Sequence, residues 1–327
     1  MRSILAMAAL LAATMSLNGC ITVNAFGGGG DVKVVTVEKG SPLNSDKVAI
    51  IPVDGVITGG GGGNGMFSSE SSVVDLARKL DAAKSDGNIK AVILRVDSPG
   101  GGVTASDIMH RELLQYKKDT GNRVYVSMQS LAASGGYYIS MAGDEVYAAP
   151  TTVTGSIGVI TTFPNASGLM DRFGVSMNSI TTGAMKDSGA FYKEMKPAER
   201  QLFQDMINDM FDSFIGVIVA NRTELGEERI RELADGRIYT AEQAKENGLI
   251  DGVMYLDEVI EKARNDVDPK RKASVVLITR TGRDSVETPY ARTPLRAAEA
   301  KPPSLVDLNL DYLHPATGEA FNLLWIP

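Results

Sequence analysis

The junction at which a β-branched and aromatic run, Val124-Tyr125-Val126, leads after a brief turn into Ala132-Ala133-Ser134-Gly135-Gly136-Tyr137-Tyr138 constrains this chain more than any other stretch. The run reads as a strand, and Ala132 onward as a helix whose first turn carries Ser134. A strand feeding a helix is the unit of layered α/β folds. Such a helix start exposes the serine hydroxyl. It also aims unpaired backbone N–H groups, chiefly that of Gly135, at whatever the hydroxyl attacks. Taken alone, the stretch is better read as small residues that let a helix pack closely on a sheet.

The preceding sequence repeats the same unit. Asp31 to Lys39 alternates apolar and polar residues as a strand does, and Val48-Ala49-Ile50-Ile51-Pro52-Val53 is the continuous apolar run of a buried strand. The loop Gly59 to Gly65 lacks the Lys-Ser/Thr ending of a phosphate-binding loop and reads as a flap or linker. Val73, Leu76, Ala77, Leu80 and Ala83 recur at helical spacing before a second buried strand, Lys90 to Val96, so a right-handed parallel crossover is expected. That strand ends in Asp97-Ser98-Pro99-Gly100-Gly101-Gly102. Thr104 to Asp107 then opens a helix with Ile108, Met109, Leu113 and Tyr116 on its inner side. Three glycines beyond a strand end allow a ligand close to the backbone, and they suit either a phosphate or an oxyanion.

Beyond the serine, Gly155 to Ile160 reads as a third parallel-type run and Val175 to Thr181 as a further strand. A polar loop at 182–189 holds Lys186, which by default is a solvated lysine. Pro197 opens a helix with the apolar stripe Leu202, Met206, Met210, Phe214 and Val217, a core or subunit contact. Residues 227–260 read as helical in two pieces around Ala234 to Thr240, with Thr240 as a cap. From Asp268 the composition shifts: a strand-like run at Ala273 to Thr279, a Pro-, Arg- and Ala-rich linker at 288–304, and a tail ending in Phe321-Asn322-Leu323-Leu324-Trp325-Ile326-Pro327. An apolar tail of this kind docks on its own domain or on a neighbour.

Composition narrows the function. At 327 residues and 43% hydrophobic, the chain can bury a substantial core. Its net charge of −7, with no basic stripe interleaved with aromatics, argues against a nucleic-acid partner. Its single cysteine excludes a disulfide framework and a cysteine metal site; no cluster has metal-ligand spacing, and no dinucleotide fingerprint follows a strand, so no cofactor is expected.

That cysteine has a telling position. Met1-Arg2 is a minimal positive region, Ile4 to Leu17 an apolar core too short to span a bilayer comfortably, and Leu17-Asn18-Gly19-Cys20 follows. The pattern resembles the lipobox cleaved by the bacterial lipoprotein signal peptidase. The resemblance implies that Cys20 becomes the lipid-modified N-terminus of an exported protein on the periplasmic or extracytoplasmic face of a membrane. Ile21 in place of Asp favours, by the same analogy, the outer membrane where a cell has two.

Only two histidines are present, and His314 lies in the tail, so a Ser-His-Asp triad is open only through His110, read as a solvated surface residue. If Ser134 is a nucleophile, lysine is the remaining common base. An unperturbed lysine is neutral in only about one molecule in 2,500 at pH 7, a cost of ~4.6 kcal/mol, so a lysine base must be desolvated.

Five motifs occur together and in order: Asp97-Ser98-Pro99-Gly100-Gly101-Gly102, Ala132 to Tyr138, Thr154-Gly155-Ser156-Ile157-Gly158-Val159, Lys186-Asp187, and Ala234-Asp235-Gly236-Arg237. From about Lys47 to about Ala263 the chain resembles the signal peptide peptidase A (SppA) family of membrane-associated serine peptidases in its short, single-catalytic-domain form. The resemblance implies a layered α/β fold of repeated strand–helix units, like those of Clp protease and the crotonases. It implies Ser134 as nucleophile, Lys186 as general base, Ser156 as the hydroxyl that orients the lysine, and Gly135, Gly100 and Gly101 as oxyanion donors. It also implies a ring-like homo-oligomer in which the lysine loop and the serine helix meet between catalytic units, and extended apolar peptides as substrates, such as cleaved signal peptides or misfolded exported segments.

The expected organisation is a signal peptide at 1–19, a tether and spacer at 20–45, the peptidase domain at 46–267 and a C-terminal extension at 268–327. A lipid on Cys20 departs from the family, whose members commonly use a transmembrane helix. Two other readings of the same residues are a catalytically silent lipoprotein scaffold and an esterase using the same serine.

Overall fold

Alternation along the central strands sets the architecture. In β2 (Lys47–Asp54) and β3 (Ile89–Ser98), successive side chains face opposite sides, yet nearly all are buried, so both faces of the sheet must be covered. Ala49, Ile51, Val92 and Leu94 join one hydrophobic core; Val48, Ile50, Ala91 and Ile93 join another. The first core is closed by α1 (Ser72–Ser85) and α2 (Val103–Thr120), and the second by residues of α8 (Leu256–Val267). The result is the expected layered α/β arrangement. The computed structural model describes residues 32–60, 71–280, 288–290 and 322–324. Cys20 with its lipobox, the loop at 61–65, and the linker and tail outside 288–290 and 322–324 therefore lie outside the described residues.

Among the described residues the main sheet has nine strands, in the order β1-β10-β2-β3-β5-β6-β9, with β7 and β8 attached through β5. The strands not yet placed are β1 (Val32–Glu38), β5 (Arg123–Ala133), β6 (Glu145–Ala148), β7 (Val153–Gly155), β8 (Ile238–Thr240), β9 (Gly252–Val253) and β10 (Ser274–Arg280). Pairing is parallel from β10 through β9, while β1 closes one edge antiparallel to β10. The strands on either side of the expected catalytic region, β1 and β10, thus belong to the same sheet as the serine strand. A glycine strand, β4 (Gly100–Gly102), stands apart and pairs antiparallel with β11 (Asn322–Leu324).

Several sequence expectations are corrected. The strand before the serine does not stop near Val126: β5 runs to Ala133, and the helix begins at Gly135, because β7 pairs with Leu131, Ala132 and Ala133 and extends the ladder. The run expected at 155–160 is the strand Val153–Gly155, and the chain leaves the sheet at Ser156 with φ 49°. Val175 to Thr181 forms no strand; it follows the short helix α4 (Ser167–Arg172) with no partner edge, and Val175, Met177 and Ile180 stay exposed.

Residues 227–260 hold three helices rather than two pieces: α6 (Glu227–Leu233), α7 (Ala241–Glu246) and the start of α8. Thr240 does cap α7, its side chain accepting from the N–H of Gln243 while Gln243 reaches back to the Thr240 N–H. The helix α5 (Pro197–Asn221) buries only the second half of its stripe, at Phe214, Ile215 and Ile218, while Leu202 and Met206 are exposed.

Two buried polar groups run against sequence pattern. Lys79 lies in the apolar face of α1, donating to the Pro52 carbonyl at 2.9 Å and pairing with Asp75 at 2.6 Å. Burial pushes its pKa down, against the pull of Asp75. His110, expected on the polar side of α2, is buried, while Ile108 is the exposed residue.

Candidate active site

Ser134 sits where β5 ends and the short helix α3 (Gly135–Ser140) begins, at φ 52° and ψ −114°. Among the described residues, the only non-glycine residues with positive φ are Ser134 and Ser156. Such conformations cost of order 1–3 kcal/mol and persist where surrounding structure fixes them, typically at functional sites. Here that structure is explicit. The Ser134 N–H donates to the Gly155 carbonyl at 2.8 Å, and the Ser156 N–H to the Arg237 carbonyl at 2.8 Å. Thr154 Oγ1 donates to the Ala132 carbonyl at 2.6 Å, locking β7 onto the end of β5. The structure therefore brings Ser134 and Ser156 to one place, at adjoining ends of paired strands.

Gly135 opens α3, so its N–H has no acceptor within the helix. It must be glycine: a Cβ there would lie 2.5 Å from Ser106 Oγ and 3.1 Å from both Gly100 Cα and Gly101 N. The serine helix and the glycine strand are thus in contact. Of the two expected glycine donors, Gly100 directs its N–H to Ser98 Oγ at 3.1 Å. Ile57 closes one edge of β4, donating to the Gly100 carbonyl at 2.8 Å and accepting from the Gly102 N–H at 3.0 Å. Alternation along an extended strand turns the N–H and carbonyl of Gly101 to the opposite edge.

Ser134 is 1% exposed, not open to solvent as its place at a helix start had suggested. Lys186 is exposed, in a run of turns at 182–189, with its N–H on the Gly183 carbonyl at 3.1 Å. Its ammonium has no hydrogen-bond or ion-pair partner among the described residues, and in one copy of the chain the side chain stands in solvent. The loop itself is held. Lys193 bridges Asp187, at 2.9 Å, and the buried carboxylate of Glu199 at the start of α5, at 2.6 Å.

His110 makes a T-shaped contact with Tyr138 at 5.5 Å, and the Tyr138 hydroxyl donates to Asp107 at 2.8 Å. Burial lowers the imidazole pKa, partly offset by Asp107. Asp107 is thus engaged by Tyr138, and the arrangement supports α3 from beneath without forming a Ser-His-Asp relay.

Residues missed by the sequence reading are the supports. Ser98 accepts from Gly100, Ser106 donates to the Gly102 carbonyl at 3.0 Å and fills the space beside Gly135, and Asp97 accepts from the Leu131 N–H at 3.1 Å. Asp97 and Ser98 lay inside a motif already noted, but their role depends on strand register, which no local pattern specifies.

Comparison with known proteins places these features in context. The profile of Peptidase family S49 matches residues 116–270. A protein of Enterococcus faecium that carries the name signal peptide peptidase SppA is 34% identical over 242 residues, which is 74% of this chain and 69% of that one. Protease 4 of Haemophilus influenzae is 34% identical over 231 residues, 70% of this chain, and the match spans only 36% of that longer protein. Among solved structures, a ClpP1 mutant from Listeria monocytogenes superposes with a TM-score of 0.41 at 16% identity, covering 64% of this chain and 92% of that one.

Proposed function

Because the chain belongs to peptidase family S49, we propose that it is a serine endopeptidase in which Ser134 is the nucleophile and Lys186 the general base. The observation that carries this reading is the pair of left-handed serines, Ser134 and Ser156, tied through Gly155 beside an open helix start. In the proposed reaction, neutral Lys186 takes the Ser134 proton as Oγ attacks the scissile carbonyl, and Ser156 orients the amine. The N–H groups of Gly135 and of the Gly100-Gly101 segment, chiefly Gly101 since Gly100 is engaged by Ser98, stabilise the oxyanion. The protonated lysine then donates to the leaving amine, and water hydrolyses the acyl-enzyme by the reverse sequence.

The exposed Lys186 supports a site completed by a second copy in a ring. So does the exposed apolar surface of the segment that precedes its loop, where Leu169, Phe173, Met177 and Ile180 are each at least half exposed. In this reading the substrates are extended, largely apolar peptides, and the enzyme is held to the outer face of a bacterial membrane by lipid on Cys20; the support for the anchor is the sequence pattern alone. No helix among the described residues is long and apolar enough to cross a membrane.

The test is stoichiometric labelling of Ser134 by a serine-reactive phosphonate, together with cleavage of a peptide library. Labelling and peptide cleavage lost in both Ser134→Ala and Lys186→Ala are expected. Ester turnover without amide cleavage, or no labelling of the assembled protein, would overturn the assignment. Mass spectrometry of the mature N-terminus, against Cys20→Ser, tests the anchor.

A further inference from the structure

The serine helix α3 has little of its own to hold its orientation. It is six residues long, less than two turns, and begins with two glycines. Side chains normally key a helix against its neighbours, and at these two positions there is no room for any. A Cβ on Gly136 would lie 2.7 Å from the Ser98 carbonyl oxygen, just as one on Gly135 would meet Ser106 and β4. The orientation matters because the Gly135 N–H and the Ser134 carbonyl belong to one planar peptide unit and point opposite ways. That carbonyl accepts from the Tyr138 N–H at 2.8 Å, so a rotation of α3 re-aims the Gly135 N–H with it.

The two tyrosines that follow the glycines fix that rotation. Tyr137 is fully buried, and its hydroxyl donates to the Leu249 carbonyl at 2.8 Å. Tyr138, also buried, donates to Asp107 on α2 at 2.8 Å. Consecutive helical residues project about 100° apart, so one bond pulls toward α2 and the other toward the segment between α7 and β9. Both anchors are themselves held. Asp251 accepts from the Val146 N–H at 2.6 Å, donates its own N–H to the Val146 carbonyl at 2.8 Å and pairs with Arg222 at 2.9 Å, which ties the Leu249 segment to β6 and to the end of α5. Asp107 follows Ser106, the residue that fills the space beside Gly135. Burial pushes the Tyr137 pKa up to about 12 and raises that of Tyr138, so both phenols stay donors at neutral pH.

We propose that Tyr137 and Tyr138 are positioning residues that aim the Gly135 N–H at the oxyanion, each acting through the rotation of α3 and not by touching substrate. The inference rests on Ser134 being the nucleophile. Tyr137→Phe and Tyr138→Phe each keep the ring and delete one tether. Each should lower kcat for a peptide about tenfold with KM little changed. A peptide boronic acid, whose tetrahedral adduct on Ser134 Oγ places an oxygen in the oxyanion site, should bind each variant about tenfold more weakly, while the same peptide without the boronic acid group binds as it does to the wild type. Tyr125→Phe is the control. It removes an equally buried phenol, bonded to Asp266 at 2.6 Å, from the opposite end of β5, and should lower the melting temperature with kcat and boronate affinity unchanged. The two tethers are tested independently, so a variant that fails to fold leaves the other to decide. Phenylalanine variants that melt lower but keep kcat and boronate affinity would overturn the inference, as would equal loss of affinity for the peptide with and without the boronic acid group. A wild type that neither cleaves peptide nor binds the boronate would instead overturn Ser134 as the nucleophile, and the inference with it.

Discussion

The backbone N–H of Ser134 donates to the carbonyl of Gly155 at 2.8 Å, so the separation between Ser134 and Ser156 is set by main chain and not by the side chains themselves. Both serines hold conformations that an L-residue adopts only under constraint, and the constraint is the end of the β5–β7 ladder. A hydroxyl positioned by a sheet edge is more rigid than one carried on a loop, which is what a nucleophile and its orienting partner require.

Gly155→Ala tests this strut. Gly155 has φ 84°, and a Cβ there would lie 2.5 Å from the Tyr239 ring. The substitution should cost about 1–3 kcal/mol of stability and lower kcat more than it raises KM, because it displaces the two serines relative to each other. Urea denaturation and steady-state kinetics on a peptide check both. A variant with wild-type midpoint and kcat would show that the bond between Ser134 and Gly155 carries no geometry.

The Lys186 loop predicts a pH window. The hydrogen bond from Lys193 holds the carboxyl groups of Glu199 and Asp187 below their ordinary values, 4.5 and 3.8, and the bonds to Glu199 and Asp187 hold the lysine above 10.5. A depressed carboxyl contributes stability above its unfolded pKa and loses it as pH falls through the folded value. A raised lysine contributes below its unfolded pKa and loses it as pH rises through the folded value. The clamp therefore contributes in full from about pH 5 to about pH 10 and is lost progressively beyond, as pH falls through the lowered carboxyl values or rises through the raised lysine value. Lys193→Met should lower kcat by about 10- to 100-fold within the window through a misplaced Lys186, with a flatter acid limb. An unchanged kcat would remove the loop clamp from the mechanism.

His110 predicts an acid-sensitive stability. Burial holds its pKa below the ordinary 6.5, with Asp107 and the Met141 backbone opposing and Lys117 reinforcing the shift. The unfolded chain thus binds the proton first. The contribution is complete above about pH 6.5 and is lost as pH falls toward the folded value. The melting temperature of the wild type should fall between pH 7 and pH 5 more steeply than that of His110→Gln. Parallel curves would show that burial does not separate the pKa of His110 in the folded chain from that in the unfolded chain.

How the sequence misled at His110 shows where its information ends. Helical spacing gave Met109, Leu113 and Tyr116 on the buried face of α2, but the face is wide enough to take position 110 in place of 108, and only packing against Tyr138 decides which. Lys79 is similar: an apolar stripe hides a lysine because Asp75 and the Pro52 carbonyl lie within reach, and neither is visible from periodicity. The buried strands at 48–53 and 90–96 were legible because unbroken apolar runs have one good home. The strand expected at 175–181 failed for want of a neighbour to pair with. At the site, motif order pointed to both serines, while the left-handed turns and the role of Arg237 as acceptor for Ser156 belong to tertiary pairing.

Lys186 yields the sharpest test of a shared site. Its side chain is exposed and makes no ion pair among the described residues, so Lys186→Ala should leave the stability of the isolated chain within about 0.5 kcal/mol, while kcat falls by about 10²–10⁴-fold. Lys186→Arg should not rescue, since a guanidinium stays charged at neutral pH and cannot act as the base. If the lysine acts on the serine of a neighbouring copy, mixing inactive Ser134→Ala with inactive Lys186→Ala and allowing subunits to exchange restores activity, because some junctions then pair an intact serine with an intact lysine. Phosphonate labelling of the mixture should return on the serine of the Lys186→Ala chains alone. A mixture that assembles, by native mass spectrometry, and yet stays inactive and unlabelled would place both residues in one subunit and require the 182–189 loop to fold inward.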